Sequence, residues 1–309
     1  MLTLSQLSPA QLRARLEGPG LDLHTGPFVS RIHSNIPLLA RSLSTLYGDY
    51  PVSETDGDQG HFADFHLRLR QPGGLRRWWR PQVRFDQDGQ QPFKPLPVAQ
   101  ASAMFEWMMN WCVANRAHSY LLLHAAVVEK NGRGIILPAP PGSGKSTLCA
   151  ALVCRGWRLL SDELTLVRHG DGMLVPLPRP VSLKNASIGV IGAFAPDAVF
   201  GPLAHGTAKG TVGHIRAPRA SVERAHECAA PLAIVFPRWE AGAATRLTPL
   251  SRARTFMRVA DNAFNYMVLG ERGFRTLGAL VERCAGHEFV YSRLEEALAL
   301  FDTLVEEGA

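Results

Sequence analysis

Residues 139–147, Ala-Pro-Pro-Gly-Ser-Gly-Lys-Ser-Thr, decide the fold. The apolar run Gly134-Ile135-Ile136-Leu137 leads into them, and a helix-forming run over residues 148–153 follows. Strand, glycine-rich loop, helix is the order that a phosphate-binding loop needs. Gly142 and Gly144 let backbone N–H groups turn inward onto phosphate oxygens. The helix that begins there points its positive end at the same anion. Pro141, Gly142, Ser143, Gly144, Lys145, Ser146 and Thr147 are thus the expected cradle for ATP. Lys145 would reach the β- and γ-phosphates, and the Ser146 hydroxyl would ligate Mg²⁺. The strict pattern opens on glycine; this chain has Ala139 there.

A phosphate-binding loop alone does not say what is done with the nucleotide. Asp162-Glu163 narrows it. The pair ends an apolar strand, 17 and 18 residues after Lys145. In a βαβ unit of this length that strand runs parallel to the one before the loop, so its C-terminal end opens on the same edge. Two carboxylates there can divide the work, one on Mg²⁺ and one as a base toward an attacking hydroxyl. The competing reading is an ordinary surface turn. His124 lies in an apolar strand 21 residues before Lys145. By spacing alone such a histidine is more often a satisfied core residue than a functional one. Arg179, Lys184, Lys209 and Arg216 fall in Gly- and Pro-rich segments; each could bind phosphate or be a solvated cation.

The chain has 309 residues, enough for one or two domains. Its 46% hydrophobic and 19% charged residues are those of a globular protein. No run of 18 apolar residues suggests a membrane helix, and the first 20 residues lack the order of a secretion signal. Cys112, Cys149, Cys154, Cys228 and Cys284 are an odd count without CxxC spacing, which fits reduced thiols in a cytoplasmic protein. The net charge is +6, and eleven cationic residues lie from Arg68 to Lys145. A solvated basic face explains this better than nucleic acid, so neither nucleic acid nor membrane is an expected partner.

Periodicity gives a small α+β unit over residues 1–100 and a second unit over residues 101–309. In the first, residues 1–17 and 36–46 read as helices, and residues 21–34, 63–70 and 79–85 as strands. In the second, residues 101–115 are a helix with Met104, Trp107, Met108 and Trp111 on one packing face. Residues 120–128 read as one strand. A mixed sheet is expected through residues 120–177 and 232–236, with helix 145–155 on one face. Residues 178–185 read as a Pro-bounded loop, and residues 205–218 as a mobile basic loop. Residues 251–269 form one long predicted helix, followed by helices over 271–284 and 294–305.

The run His124-Ala125-Ala126, the Gly-Ser-Gly-Lys-Ser-Thr loop, Arg155-Gly156-Trp157 and Ser161-Asp162-Glu163 together resemble the catalytic domain of HPr kinase/phosphorylase. More of the chain resembles the proteins called HprK-related kinase A. That likeness includes Pro178-Arg179-Pro180-Val181-Ser182-Leu183-Lys184-Asn185, Gly206-Thr207-Ala208-Lys209-Gly210-Thr211 and Asn262-Ala263-Phe264-Asn265-Tyr266. The resemblance implies an α/β fold with a P-loop nucleotide-binding core of the HPr kinase/PEP carboxykinase type. It implies an ATP- and Mg²⁺-dependent kinase acting on a serine hydroxyl of a small protein or peptide, with homo-oligomer formation open. His124 would face the phosphate site beside the catalytic acid. Asp162 would be the base. Glu163, standing where the family has a second aspartate, would serve the metal together with Ser146. Arg179 and Lys184 would take over from a Glu and an Arg of the family's later loop. An assembly module with slow ATP hydrolysis and a small-molecule kinase are the competing readings.

Overall fold

The computed structural model describes residues 2–53, 62–74 and 76–307. It is a mixed α/β protein with several sheets. The first sheet has seven strands in the order Leu2–Thr3, Pro51–Ser53, Leu21–Thr25, Phe28–Ser34, Phe65–Arg70, Gln82–Asp86 and Leu96–Pro97. Its amphipathic logic is plain in Phe65–Arg70, where Phe65, Leu67 and Leu69 are buried and His66, Arg68 and Arg70 are exposed. Helix Pro9–Glu17 starts on a Ser8/Gln11 capping box and helix Pro37–Leu46 on a proline. Their buried leucines join one hydrophobic core that continues through Met104, Met108 and Leu148 to Phe301.

The second sheet has six strands in the order Arg158–Ser161, Ala125–Lys130, Arg133–Pro138, Ala230–Trp239, Ala285–Tyr291 and Arg246–Leu250. Ala125–Lys130 and Arg133–Pro138 form the expected hairpin across Asn131-Gly132, both at positive φ. Arg133–Pro138 and Arg158–Ser161 are each antiparallel to Ala125–Lys130. They therefore run the same way, with that one strand between them, and helix Lys145–Cys154 bridges them.

The expectation of a single sheet through residues 120–177 does not hold. Tyr120–Leu123 pairs with Thr165–Arg168 and Leu174–Val175 in a separate three-stranded sheet. The predicted strand over residues 120–128 is thus two strands, and the chain changes sheet at His124. It changes sheet again between Arg158–Ser161 and Thr165–Arg168, across Asp162-Glu163-Leu164. Leu123 pairs with Thr165, so the two crossings lie side by side. An unbroken apolar run carries no signal of such a crossing.

Other segments differ from the reading for local reasons. The long helix over residues 251–269 is broken: Arg252–Asp261 stops, and a short Tyr266–Leu269 turn follows. Asn265, buried, explains the break. Its Oδ1 accepts from Leu122 N at 2.9 Å and its Nδ2 donates to Tyr120 O at 2.9 Å. Phe264 N donates to Leu122 O and His124 N to Asn262 O, so residues 262–265 lie along the 120–124 segment like a strap. The supposed mobile loop is instead the pair of strands Ala204–Thr207 and Gly210–Ile215. Together with Val181–Lys184 they make a second three-stranded sheet, so residues 178–185 are not only loop. Residues 186–194 are a helix. All five cysteines are free thiols.

Candidate active site

The glycine-rich loop leaves strand Arg133–Pro138 and enters helix Lys145–Cys154. Gly142 and Gly144 both take left-handed φ, +87° and +88°. Gly144 has a second reason to be glycine. A Cβ there would lie 2.5 Å from Tyr291 Oη and 2.8 Å from Trp239 Cβ. Those residues fasten the loop: Tyr291 Oη donates to Gly144 O at 3.0 Å, and Trp239 N to Ser143 O at 2.8 Å.

The loop opens into a cavity of about 730 Å³. Residues 139–147, His124, Glu163, Ser182, Lys184 and Lys209 all contribute to its wall. Trp239, Tyr291, Ser292 and Leu294 close another part of it. The size falls within the ordinary range for small-molecule sites, roughly 300–1,000 Å³. None of the last four residues belongs to a local motif. Each comes from a strand end, a helix start or the bend between them far along the chain, so spacing could not have found them.

His124 and Glu163 meet at the two sheet crossings. His124 Nε2 lies 3.3 Å from Glu163 Oε2, and Lys184 Nζ lies 3.6 Å from Glu163 Oε1. The Glu163 side chain is 25% exposed and faces the cavity. Burial works against its charge, but the His124 hydrogen bond and the Lys145 and Lys184 charges hold its carboxyl well below the usual carboxylate range.

Asp162 points the other way. Its side chain is 2% exposed, its Oδ2 accepts from Ser182 N at 3.0 Å, and it lies with Arg179 and His214 around a small space of about 20 Å³. Its Oδ1 accepts no hydrogen bond and is 3.8 Å from Lys145 Nζ, which donates to the Asp162 backbone carbonyl. Burial raises the Asp162 pKa, opposed by Lys145 and assisted by neighbouring Glu163; the Ser146 hydroxyl is also against it. The two acids face apart, as successive residues of an extended chain do. The partner of His124, however, is Glu163 and not Asp162, because Glu163 is the acid turned toward the sheet crossing at His124.

Lys184 takes its place in the cavity wall. Arg179 does not. Its guanidinium is buried against helix Ala101–Arg116, with Nη2 2.8 Å from Glu106 Oε2 and Nη1 2.8 Å from Asn110 Oδ1. Tyr47 Oη also donates to Glu106, and Tyr50 Oη donates to Pro178 O at 2.7 Å. The expected nucleotide contact is thus a buried tie between helix Ala101–Arg116 and strand Val181–Lys184, joined by Tyr47 and Tyr50. Arg216 likewise pairs with Asp49 instead of lining the cavity.

The family comparison falls on the segment that carries the glycine-rich loop and Asp162-Glu163. The family model described as SynChlorMet cassette protein ScmC matches residues 99–181. HPr kinase/phosphorylases of two strains of Clostridium botulinum, Eklund 17B and Alaska E43, are each 29% identical over 79 residues. The match takes in 26% of this chain and 26% of each relative, so the chain spans about a quarter of the length of the curated relatives it matches. Over that length the chain is similar to HPr kinase/phosphorylases. Among solved structures, the Hpr(Ser) kinase/phosphatase of Coxiella burnetii matches over 60% of this chain and 94% of that one, with 14% identity. At a TM-score of 0.28 that overlay fixes no residue correspondence.

Proposed function

We propose that the chain is an ATP-dependent kinase that moves the γ-phosphate to a serine-type hydroxyl of a small protein or peptide. One observation carries the reading: the glycine-rich loop and the Glu163–His124–Lys184 cluster open into the same cavity. The loop offers N–H groups and Lys145 to phosphates, and the cluster offers a base and a cation where the outermost phosphate would meet a hydroxyl. Similarity to HPr kinase/phosphorylases over 79 residues of the chain supports a phosphotransferase.

The geometry favours a division of labour opposite to the one expected from resemblance. Glu163 is the acid open to the cavity, so it is our candidate for the base. His124 orients its Oε2, and Lys184 holds the phosphate side of the same carboxylate. Ser182 N–H and Lys145 keep Asp162 fixed behind them.

Among the described residues no group of three or more His, Cys, Asp or Glu side chains is preformed to hold a metal. That suits Mg²⁺, which takes one or two protein ligands and otherwise water and substrate phosphates. Ser146 and the unpartnered Oδ1 of Asp162 fit it, with Glu163 nearest on the cavity side. The ion would neutralise charge on the transferring phosphate.

Lys145→Ala tests this assignment. Nucleotide affinity and phosphate transfer should both fall sharply, with the circular dichroism spectrum kept. A variant that transfers phosphate at the normal rate takes the loop out of the mechanism.

A further inference from the structure

Soluble domains seldom gather large apolar side chains on open surface without a use for them. Among the described residues, five of the thirteen exposed large hydrophobic side chains fall within residues 257–274: Met257, Phe264, Met267, Val268 and Phe274. Met267 is 85% exposed and Val268 71%. Met267, Val268 and Phe274 gather about one aromatic pair. The Phe256 ring lies beneath, 5.5 Å from Phe274 and 6.2 Å from Tyr266, and Met267 and Val268 follow Tyr266 directly. The surface begins at the cavity wall, because the Phe264 ring is 5.6 Å from the ring of His124.

Its rim is basic. Arg252, Arg254 and Arg272 are exposed and form no ion pair with a described acid, whereas Arg258 and Arg275 are already paired with Glu288 and Glu271. Between residues 252 and 275, Asp261 is the sole acid among the described residues without such a partner. The site itself tethers this surface: His124 N donates to Asn262 O and Phe264 N to Leu122 O, so the patch stays beside the histidine it borders.

We propose that this patch docks the phosphoacceptor, through a segment of it that carries apolar and acidic residues beside its serine. The proposal rests on the kinase reading. The apolar side chains supply the buried contact, and the arginine rim selects acidic sequences and rejects basic ones. Docking there brings a hydroxyl to the Glu163 side of the cavity, past His124. The arrangement also explains why the 262–265 strap replaces a continuous helix. A helix through these positions would lose the hydrogen bonds that hold Phe264 at the wall.

The test uses the full chain, γ-labelled ATP and three pools of synthetic 15-residue peptides. Each peptide has one central serine, and the flanks are acidic with apolar residues, basic with apolar residues, or acidic alone. The wild type should label the acidic–apolar pool best, and the preference should shrink as salt rises. In Met267→Ser/Val268→Ser/Phe274→Ser, all exposed positions outside the cavity, KM for that pool should rise about tenfold or more while kcat and ATP affinity stay near wild type. Anisotropy of a labelled acidic–apolar peptide should show the same loss without any transfer. Equal labelling of all pools, or an unchanged KM in the triple variant, overturns the docking surface and leaves the kinase standing. ATP binding with no labelling of any pool overturns both. A triple variant that loses self-association in sedimentation, with its peptide KM unchanged, gives the surface to a second copy and overturns the proposal.

Discussion

Asp162 and Glu163 are neighbours in the chain and strangers in the fold. One is buried beside Lys145 against a small space, and the other faces the large cavity beside His124. Their replacements should therefore fail differently. Glu163→Gln keeps shape and removes the base, so transfer should fall ~10²–10⁴-fold, the usual worth of general-base help, while Mg²⁺-ATP still binds. Asp162→Asn should instead raise the Mg²⁺ concentration needed, through loss of an anionic oxygen beside Ser146. Rates and nucleotide affinities across a Mg²⁺ series decide it; if the two phenotypes are exchanged, the assignment from resemblance was the right one. At this scale the sequence located the residues that line the cavity around the loop. The loop motif is local, so its residues follow one another along the cavity wall. It was a poor guide to Arg179, because only the packed helix Ala101–Arg116 reveals Glu106 and Asn110 waiting for the guanidinium.

The strap over residues 262–265 shows what periodicity misses at the level of elements. Phe256, Val259, Ala260, Ala263, Phe264 and Met267 have helical spacing, and the helix still breaks. Asn265 wins because its amide satisfies two backbone groups of a neighbouring strand that would otherwise be unpaired and buried. Leaving a buried polar group unpaired costs about 1–3 kcal/mol. Asn265→Ala strands both, so a loss on the order of 2–4 kcal/mol is expected in the denaturant midpoint. Transfer should fall as well, since the same strap fixes His124 through Asn262 O. A variant of normal stability would mean that the strap is held by other contacts. Strands, hairpins and most helices were legible from alternation and turn residues. The sheet crossings at His124 and at Asp162-Glu163 were not, since an apolar run reads the same whether it stays in one sheet or passes to a second.

Over the whole molecule the first seven-stranded sheet and the cavity-bearing half share one core, with Tyr47 and Tyr50 reaching across to Glu106 and Pro178. Four histidines also bind the fold to pH. Burial lowers the pKa of His214, and likewise of His33, His169 and His287. The unfolded chain then takes up protons first, near the ordinary histidine value of about 6.5. Stability should be full above that pH and decline as the pH drops below it. Urea midpoints measured from pH 8 to 5 should show this, with a smaller decline in His214→Gln. No helix of the described residues is long and apolar enough to cross a membrane. The account turns on where the γ-phosphate goes. Incubating the chain and its Lys145→Ala variant with γ-labelled ATP, Mg²⁺ and cell extract measures that directly. The account predicts label on the serine of one low-mass protein or peptide, absent with the variant. Label recovered only as free phosphate, or in a small molecule, would contradict it.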